Sequence, residues 1–141
     1  MVGWIAYGVL VVPVTFLIVT HRAFGQSPLS LGLQIAGLAL VVWARVAFGA
    51  RSFHAGSTPT EGGLVTSGPY HFIRHPIYAG VLLALAGALV AHHDAPAVAA
   101  AVIACAAIGV RIASEERQVA ARYPEYVDYA RRTRRVLPWL L

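Results

Sequence analysis

The polar residues with the clearest chemical potential lie in residues 64–80, LVTSGPYHFIRHPIYAG, beside apolar segments. Pro76 suits the first turn of a helix because its φ is fixed and it has no N–H group to leave unpaired. It also disfavours the α conformation at His75. The sequence therefore predicts that a helix begins at Pro76, with Tyr70 and His75 in extended chain before it and Tyr78 in its first turn. Free N–H groups at such a helix start favour an anion.

A second group of reactive residues lies about 35 positions later, where Glu115 and Glu116 follow Arg111. Arg111 and Glu115 are four residues apart, so an ordinary ion pair on a helix surface explains them. The alternative is that these carboxylates meet His75 and Tyr78 at one side of a membrane. The spacing leaves both interpretations open.

Other candidate motifs favour neither a dinucleotide fold nor a metal centre. Gly62 and Gly63 allow close approach of a ligand, or form a flexible turn, but they lack the G-x-G-x-x-G pattern and its βαβ context. His92 and His93 are adjacent in a short turn with no third ligand at suitable spacing, so we expect no metal site. Cys105 is the single cysteine and is interpreted as a packing residue.

The composition indicates an all-α integral membrane protein. Of the 141 residues, 58% are hydrophobic and only 12% are charged, far from the average of soluble proteins. Four apolar segments are free of Asp, Glu and Lys, and they are residues 2–20, 29–48, 77–91 and 95–112. The first two approach the ~20 residues that cross a bilayer, and the other two are shorter. We predict four transmembrane helices.

The basic residues predict the orientation of these helices. All eleven are Arg, and a four-span arrangement places ten of them on one side and Arg22 on the other. The positive-inside rule then puts both termini and the loop after the second helix in the cytoplasm, in a prokaryotic cell membrane. The N-terminal segment lacks a basic n-region, so a retained helix is expected. The arginine-rich residues 131–135 are interpreted as an anchor on membrane lipids and not as a nucleic-acid site.

We expect a single domain whose parts have distinct tasks. The second helix carries Gly32 and Ala36 at a spacing that favours close helix packing. Asp94 is expected to cap the fourth helix, with Pro96 in its first turn. The predicted parts are two scaffold helices in 1–48, a cytoplasmic loop in 49–75, a helical hairpin in 76–112, and a cytoplasmic C-terminal segment with an amphipathic helix in 113–141.

The order of the motifs resembles a known family. The block LVTSGPY at residues 64–70 precedes RHPxYxG at residues 74–80, and after a hairpin come Glu115-Glu116 and YPEY at residues 123–126. This combination resembles the isoprenylcysteine carboxyl methyltransferase family and the related membrane phospholipid methyltransferases. The resemblance covers roughly the second half of the chain, and the first two helices match only as membrane spans.

The resemblance implies an integral membrane methyltransferase that uses S-adenosylmethionine. It places the cofactor in a cytoplasmic pocket formed by the central loop, the start of the third helix and the segment after the fourth. It implies Arg111 as the catalytic, substrate-binding residue. Family members can carry His at position 62, so Gly62 would offer only its backbone. The implied cofactor-binding residues are Gly62, Gly63, Leu64, Val65, Tyr70, His75, Pro76, Ile77, Tyr78, Glu115 and Glu116.

The residue types suit this chemistry and suggest an acceptor. Methyl transfer from a sulfonium depends on positioning more than on acid or base strength, so no metal is required. The guanidinium of Arg111 would attract a carboxylate and repel a protonated amine. We therefore expect O-methylation of a lipid-like or prenylated carboxylate. The alternatives are a phospholipid amine N-methyltransferase, an NADPH-dependent enzyme similar to sterol reductases, and a non-catalytic four-helix membrane module.

Overall fold

The computed structural model describes residues 2–49 and 63–136 of the chain, so residues 50–62 of the predicted central loop lie outside the description. Within these residues the protein is all-helical, apart from an isolated parallel β-bridge between Ile73 and Arg134. A short 3-10 turn, Gly68–His71, precedes the third helix. The α-helices are α1 (Val2–Val19), α2 (Pro28–Phe48), α3 (Pro76–Ala91), α4 (Ala95–Arg122) and α5 (Tyr126–Arg132).

Two of these helices, α2 and α4, are long and apolar enough to cross a membrane. Pro76–Ala91 and the Gly8–Val19 part of α1 are shorter apolar helices. Large apolar side chains project outwards from α2, including Ile35, Leu38 and Val46, which are 65%, 65% and 73% exposed. An apolar outer surface of this kind is stable against lipid and not against water.

The fourth helix is longer than the sequence predicted. The apolar segment ends at residue 112, yet α4 continues for ten more residues to Arg122. Apolarity locates the part of a helix that suits the bilayer, whereas helix length depends on where a breaker occurs. Here the breaker is Pro124, which disfavours the α conformation at Tyr123. The C-terminal segment therefore begins as a rigid extension of α4, and its own helix, α5, has only seven residues.

The helices pack as two pairs, α2 along α3 and α1 along α4. The closest approach of α2 and α3 is at Gly37 and Gly80, where a Cβ atom on either glycine would lie 2.5 Å from the other's carbonyl oxygen. The small-residue contact is thus centred on Gly37. The prediction of close packing at Gly32 is wrong, because nothing in the described residues lies within 4 Å of a Cβ built there. Gly80 lies two residues after Tyr78, so this contact fixes the start of α3 against α2.

The end of the bundle where α4 begins is called the Asp94 end. As predicted, Asp94 caps α4, and its side chain accepts a hydrogen bond from the backbone N–H of Ala97. The Nε of Arg22 donates to Oδ2 of Asp94 at 2.8 Å, which joins the α1–α2 turn to the α3–α4 turn. Within the bundle, the buried Ser30 hydroxyl donates to the carbonyl of Gly87 at 2.6 Å.

Candidate functional site

The candidate site is built around the first turn of α3. The helix begins at Pro76, which confirms the prediction, and His75 is its N-cap residue with φ −124° and ψ 59°. Tyr70 was expected in extended chain, but it lies in the 3-10 turn with its side chain buried. Pro69 is the second residue of that turn, and its carbonyl accepts hydrogen bonds from the N–H groups of Phe72 and Ile73. The polar residues at the start of α3 therefore follow a compact turn and not an extended segment.

An apolar cluster lies beside these polar residues at the start of α3. It joins Ile73 and Ala79 around the start of α3 to Ile108 and Ile112 of α4 and to Val136 of the C-terminal segment. Each of these side chains is buried. The cluster therefore holds three separate parts of the chain at fixed distances, and this fixes where their polar neighbours point.

Three polar side chains form a closed network between α3 and α4. The Tyr78 hydroxyl donates to Oε1 of Glu115 at 2.6 Å and accepts from Nε of Arg111 at 2.6 Å. Arg111 also donates through Nη2 to Oε1 of Glu115 at 2.9 Å. Arg111 is only 5% exposed, so the network lies inside the bundle, and the pair is more than an ion pair on a helix surface. Arg111 and Glu115 thus form the ion pair expected from their spacing, and Glu115 also contacts Tyr78, as the alternative interpretation expected.

His75 lies between the two glutamates. Its Nδ1 is 3.7 Å from Oε2 of Glu115, and its Nε2 is 3.5 Å from Oε1 of Glu116. The Nε2 atom is buried, and no described residue forms a hydrogen bond with it. Oε1 of Glu115 accepts from Tyr78 and Arg111, whereas Oε2 is the oxygen that faces Nδ1 of His75. Nε2 of His75 is thus a buried polar atom whose hydrogen-bonding capacity the described residues do not use.

Glu116 belongs to a separate cluster with the C-terminal segment. Its Oε1 accepts from Nε of Arg74 at 2.9 Å, and its Oε2 accepts from Nε of Arg135 at 3.1 Å. Nη1 of Arg74 also donates to the carbonyls of Ala130 and Thr133. The side chains of Arg74 and Glu116 are 10% and 14% exposed. Glu116 thus ties the start of α3 and the end of α4 to the residues after α5.

The backbone completes this attachment. The N–H of Arg74 donates to the carbonyl of Arg134 at 2.7 Å, and that of His75 donates to the carbonyl of Arg135 at 2.9 Å. The N–H of Arg134 donates to the carbonyl of Phe72 at 3.2 Å. These bonds form a short parallel ladder beside the N-cap of α3. Part of the predicted anion site at this helix start is therefore filled by the protein's own carbonyl groups.

A tyrosine pair braces the same junction. The Tyr129 hydroxyl of α5 donates to the carbonyl of Tyr70 at 2.7 Å. Burial raises the pKa of the Tyr129 phenol to about 12, and burial also raises the pKa of Tyr70 well above its usual value. Both phenols therefore stay protonated at neutral pH, and Tyr129 remains a donor. The ring of Tyr70 packs against Phe48 at the end of α2, with 5.6 Å between ring centroids.

The structure brings together part of the predicted site. His75, Tyr78, Arg111, Glu115 and Glu116 meet in two adjoining clusters. Pro76 is buried, Ile77 is half-buried in the first turn, and Tyr70 is buried in the 3-10 turn that precedes them. The half-buried Gly63, Leu64 and Val65 lie in the irregular chain before the 3-10 turn, and Gly62 lies outside the described residues.

Sequence reasoning missed the contribution of the C-terminal segment. Arg74 and Arg135 hold Glu116, and Tyr129 reaches Tyr70, yet Arg135 had been assigned only to a lipid anchor. The signal for Tyr129 was its spacing of three from Tyr126, which places two buried tyrosines on one face of α5. The sequence contains no signal for the backbone ladder, because its partners are far apart along the chain.

Comparison with known proteins identifies similar sequences. The sequence model of the isoprenylcysteine carboxyl methyltransferase family matches residues 30–121 of this chain. This match includes most of α2, so the likeness extends further towards the N-terminus than the motifs suggested. It ends before α5, whose neighbours complete the Glu116 cluster.

Two curated relatives are named for metal resistance. The cobalt-zinc-cadmium resistance protein CzcN of Cupriavidus metallidurans is 34% identical over 147 residues, which cover 94% of this chain and 63% of the relative. The nickel-cobalt-cadmium resistance protein NccN of Alcaligenes xylosoxydans xylosoxydans is 32% identical over 127 residues, covering 88% of this chain and 58% of the relative. The chain thus spans about three fifths of these relatives. No solved structure matches it significantly.

Proposed function

The chain belongs to the isoprenylcysteine carboxyl methyltransferase family, and from this we propose that it transfers a methyl group from S-adenosylmethionine to a lipid-like acceptor. The observation that carries the proposal is the meeting of His75, Tyr78, Arg111 and Glu115 at the start of α3. These residues come from two helices and belong to the motifs that resemble the family. Their contacts are made inside an apolar, membrane-type protein.

The side chains present fit the cofactor. S-adenosylmethionine supplies the methyl group as part of a sulfonium, and it carries an ammonium and a carboxylate. Oε2 of Glu115 would accept hydrogen bonds from the ammonium, since Oε1 is already used by Tyr78 and Arg111. The buried Nε2 of His75, which has no hydrogen-bond partner in the described residues, would contact a polar group of the cofactor.

Tyr78 fixes the orientation of this binding group. Its hydroxyl uses one interaction to hold Glu115 and another to hold Arg111, so the carboxylate cannot rotate freely. The Tyr78 ring also lies under Arg111, with 5.9 Å from Cζ to the ring centroid. Positioning of this kind is the main demand of an in-line methyl transfer.

Arg111 is the basis for proposing a carboxylate as the acceptor. Its guanidinium is buried at the junction of α3 and α4, where an amphiphile could approach from the bilayer. Nε and Nη2 donate to Tyr78 and Glu115, so Arg111 would share its charge between Glu115 and the acceptor. A positive charge held in this way favours a carboxylate over a protonated amine. The proposed reaction is therefore O-methylation of a lipid-like or prenylated carboxylate.

The proposal includes a four-span arrangement with the site at the cytoplasmic side. Its support is the position of ten of the eleven Arg residues on that side, together with the apolar surfaces of α1 to α4. Reporter fusions at Gln26 and at Asp94 should both be external. A cytoplasmic signal at either position would contradict this topology.

Cofactor binding tests the proposed activity directly. Purified protein in detergent should bind S-adenosylmethionine and not NADPH in calorimetric titrations. With a lipid extract it should transfer labelled methyl groups to a product that alkali hydrolyses, as expected of an ester. Alkali-stable label would indicate amine methylation, binding of NADPH would indicate a reductase, and binding of neither would indicate a non-catalytic module.

A role in metal resistance is a second, physiological candidate. It is suggested by the names of two relatives that are 34% and 32% identical to this chain. If methyl transfer underlies it, expression of the wild-type protein should raise cadmium tolerance in a sensitive strain, and Glu115→Gln should not. Equal cadmium tolerance with the wild-type protein and with Glu115→Gln would mean that resistance does not depend on the proposed site.

A further inference from the structure

The helix α5 presents a mixed apolar and basic face away from the protein. Tyr126 and Tyr129 are buried, and the opposite face carries Val127 and Arg131, four residues apart. Val127 is 52% exposed, and the Arg131 side chain is 76% exposed. Asp128 lies 3.4 Å from Nη1 of Arg131, but this pair is open to water and leaves the guanidinium accessible.

The exposed arginines lie at the level where α3 begins. Arg134 is exposed, and its backbone bonds to Phe72 and Arg74 place it beside the last residues before Pro76. From Pro76 onwards α3 is an apolar helix, so its start marks the edge of the hydrocarbon layer. Phe72 is 59% exposed at this edge, where aromatic side chains are common in membrane proteins.

We propose that the exposed guanidinium groups of Arg131, Arg132 and Arg134 bind the phosphates of anionic lipid headgroups. The bilayer that surrounds α2 and α4 supplies these lipids at the height of the arginines. Residues 125–136 contain four Arg and two acidic residues, so the surface is positive overall. Arg131 and Arg132 project from α5, and Arg134 projects from the ladder that follows it.

Lipid binding at this surface has a consequence for the neighbouring site. The carbonyl of Arg135 accepts from the N–H of His75, and the carbonyl of Arg134 accepts from the N–H of Arg74. Any ligand that holds residues 131–134 in place therefore also favours the closed ladder beside His75. Anionic lipid is thereby a stabilising partner of the attached C-terminal segment, independently of which reaction the protein performs.

Hydrogen exchange on the intact protein in nanodiscs tests this proposal. The amides of Arg74, His75 and Arg134 should exchange at least about fivefold more slowly with about 30% phosphatidylglycerol than in pure phosphatidylcholine. The factor corresponds to one arginine near an anionic surface. Equal exchange rates in the two lipids would overturn the proposal.

A matched pair of variants separates this surface from total charge. Arg131→Gln with Arg134→Gln should remove most of the lipid effect. Arg117→Gln with Arg122→Gln removes the same charge from α4 and should retain it. If both double variants lose the effect equally, total charge and not this surface is responsible. If glycerol phosphate slows exchange as much in phosphatidylcholine nanodiscs, the ligand is a free phosphate and the lipid assignment is wrong.

Discussion

Each end of the helix bundle is fastened by arginine and carboxylate, but the two ends differ in burial. At the Asp94 end, the side chains of Arg22 and Asp94 are 30% and 48% exposed. At the opposite end, called the Glu115 end, those of Arg111 and Glu115 are 6% and 21% exposed. The exposed pair links two turns, whereas the buried pair belongs to a network between α3 and α4 that adjoins the Glu116 cluster of the C-terminal segment.

The difference in burial implies a difference in purpose. An exposed pair contributes little, because water competes for both charges. Buried charges lose much hydration, and that loss is offset only when each charge has several partners. Apolar residues would join the helices with less desolvation. Fastening alone therefore does not require the buried charges of the Glu115 end, which is where we propose that the cofactor binds.

The largest effect is expected from Arg74→Ala, which leaves buried acceptors without their donor. Removing one partner of a fully buried ion pair destabilises a protein by about 3–5 kcal/mol, and we expect a smaller loss here because both side chains are partly exposed and Glu116 keeps Arg135. Arg74 also donates to the carbonyls of Ala130 and Thr133, so the C-terminal segment should detach. Thermal unfolding in detergent measures the loss, and Arg22→Ala is the control. A similar loss in both variants would contradict the contrast between the ends.

The second prediction concerns the two glutamates of the Glu115 end. Glu115→Gln should weaken S-adenosylmethionine binding about ten- to a hundredfold, because a charge-assisted hydrogen bond is worth ~1.5–3 kcal/mol. Glu116→Gln should leave the affinity nearly unchanged but loosen the C-terminal segment, since Glu116 pairs with Arg74 and Arg135. Calorimetry on folded variants distinguishes them. If the two losses are equal, Glu116 also contacts the cofactor.

The third prediction separates the two tasks of Arg111. Arg111→Lys should lower single-turnover methyl transfer about tenfold while changing cofactor affinity less, because an ammonium keeps the charge but not the planar fork. Binding isotherms and transfer assays on the same preparation provide the measurement. Parallel losses in affinity and transfer would mean that Arg111 only supports Glu115.

The smallest effect is expected at the Asp94 end and depends on pH. The hydrogen bond from the Ala97 N–H, followed by that from Arg22, lowers the pKa of Asp94 below its usual value. A lowered folded-state pKa adds stability above the unfolded pKa of about 4, and this stability is lost as the pH falls through the folded-state value. Asp94→Asn should therefore be less stable than wild type at pH 6, with the difference vanishing in strong acid. A difference that is independent of pH would assign the effect to capping geometry alone.

The sequence predicted the local features of the fold better than the distant contacts. Pro76 predicted the start of α3, and Asp94 predicted the cap of α4, because both signals depend on neighbouring residues. The end of α4 lies beyond the apolar segment because hydropathy marks the residues that suit the bilayer, whereas Pro124 ends the helix. The helix contact at Gly37 depends on the crossing point of α2 and α3, which spacing within one helix does not determine.

The same limit applies to the candidate site. The motifs identified His75, Tyr78, Arg111 and Glu115, since each residue type matched the expected chemistry. The attachment of Glu116 to Arg135 could not be predicted, because it depends on the chain reversing after Pro124. A run of arginines looks the same in sequence whether its members face lipid or a buried carboxylate.

The ladder between the start of α3 and the C-terminal segment also determines when the site can form during synthesis. Arg74 and Thr133 are 59 residues apart, so at about 5–20 residues per second the partner emerges about 3–12 s later. In the proposed four-span arrangement, α3 and α4 enter the membrane during this interval while Arg74 still lacks its final acceptors. Hydration at the membrane surface must satisfy this arginine until residues 130–135 arrive. Assembly of the site is thus a late step, after insertion of the helices that carry it.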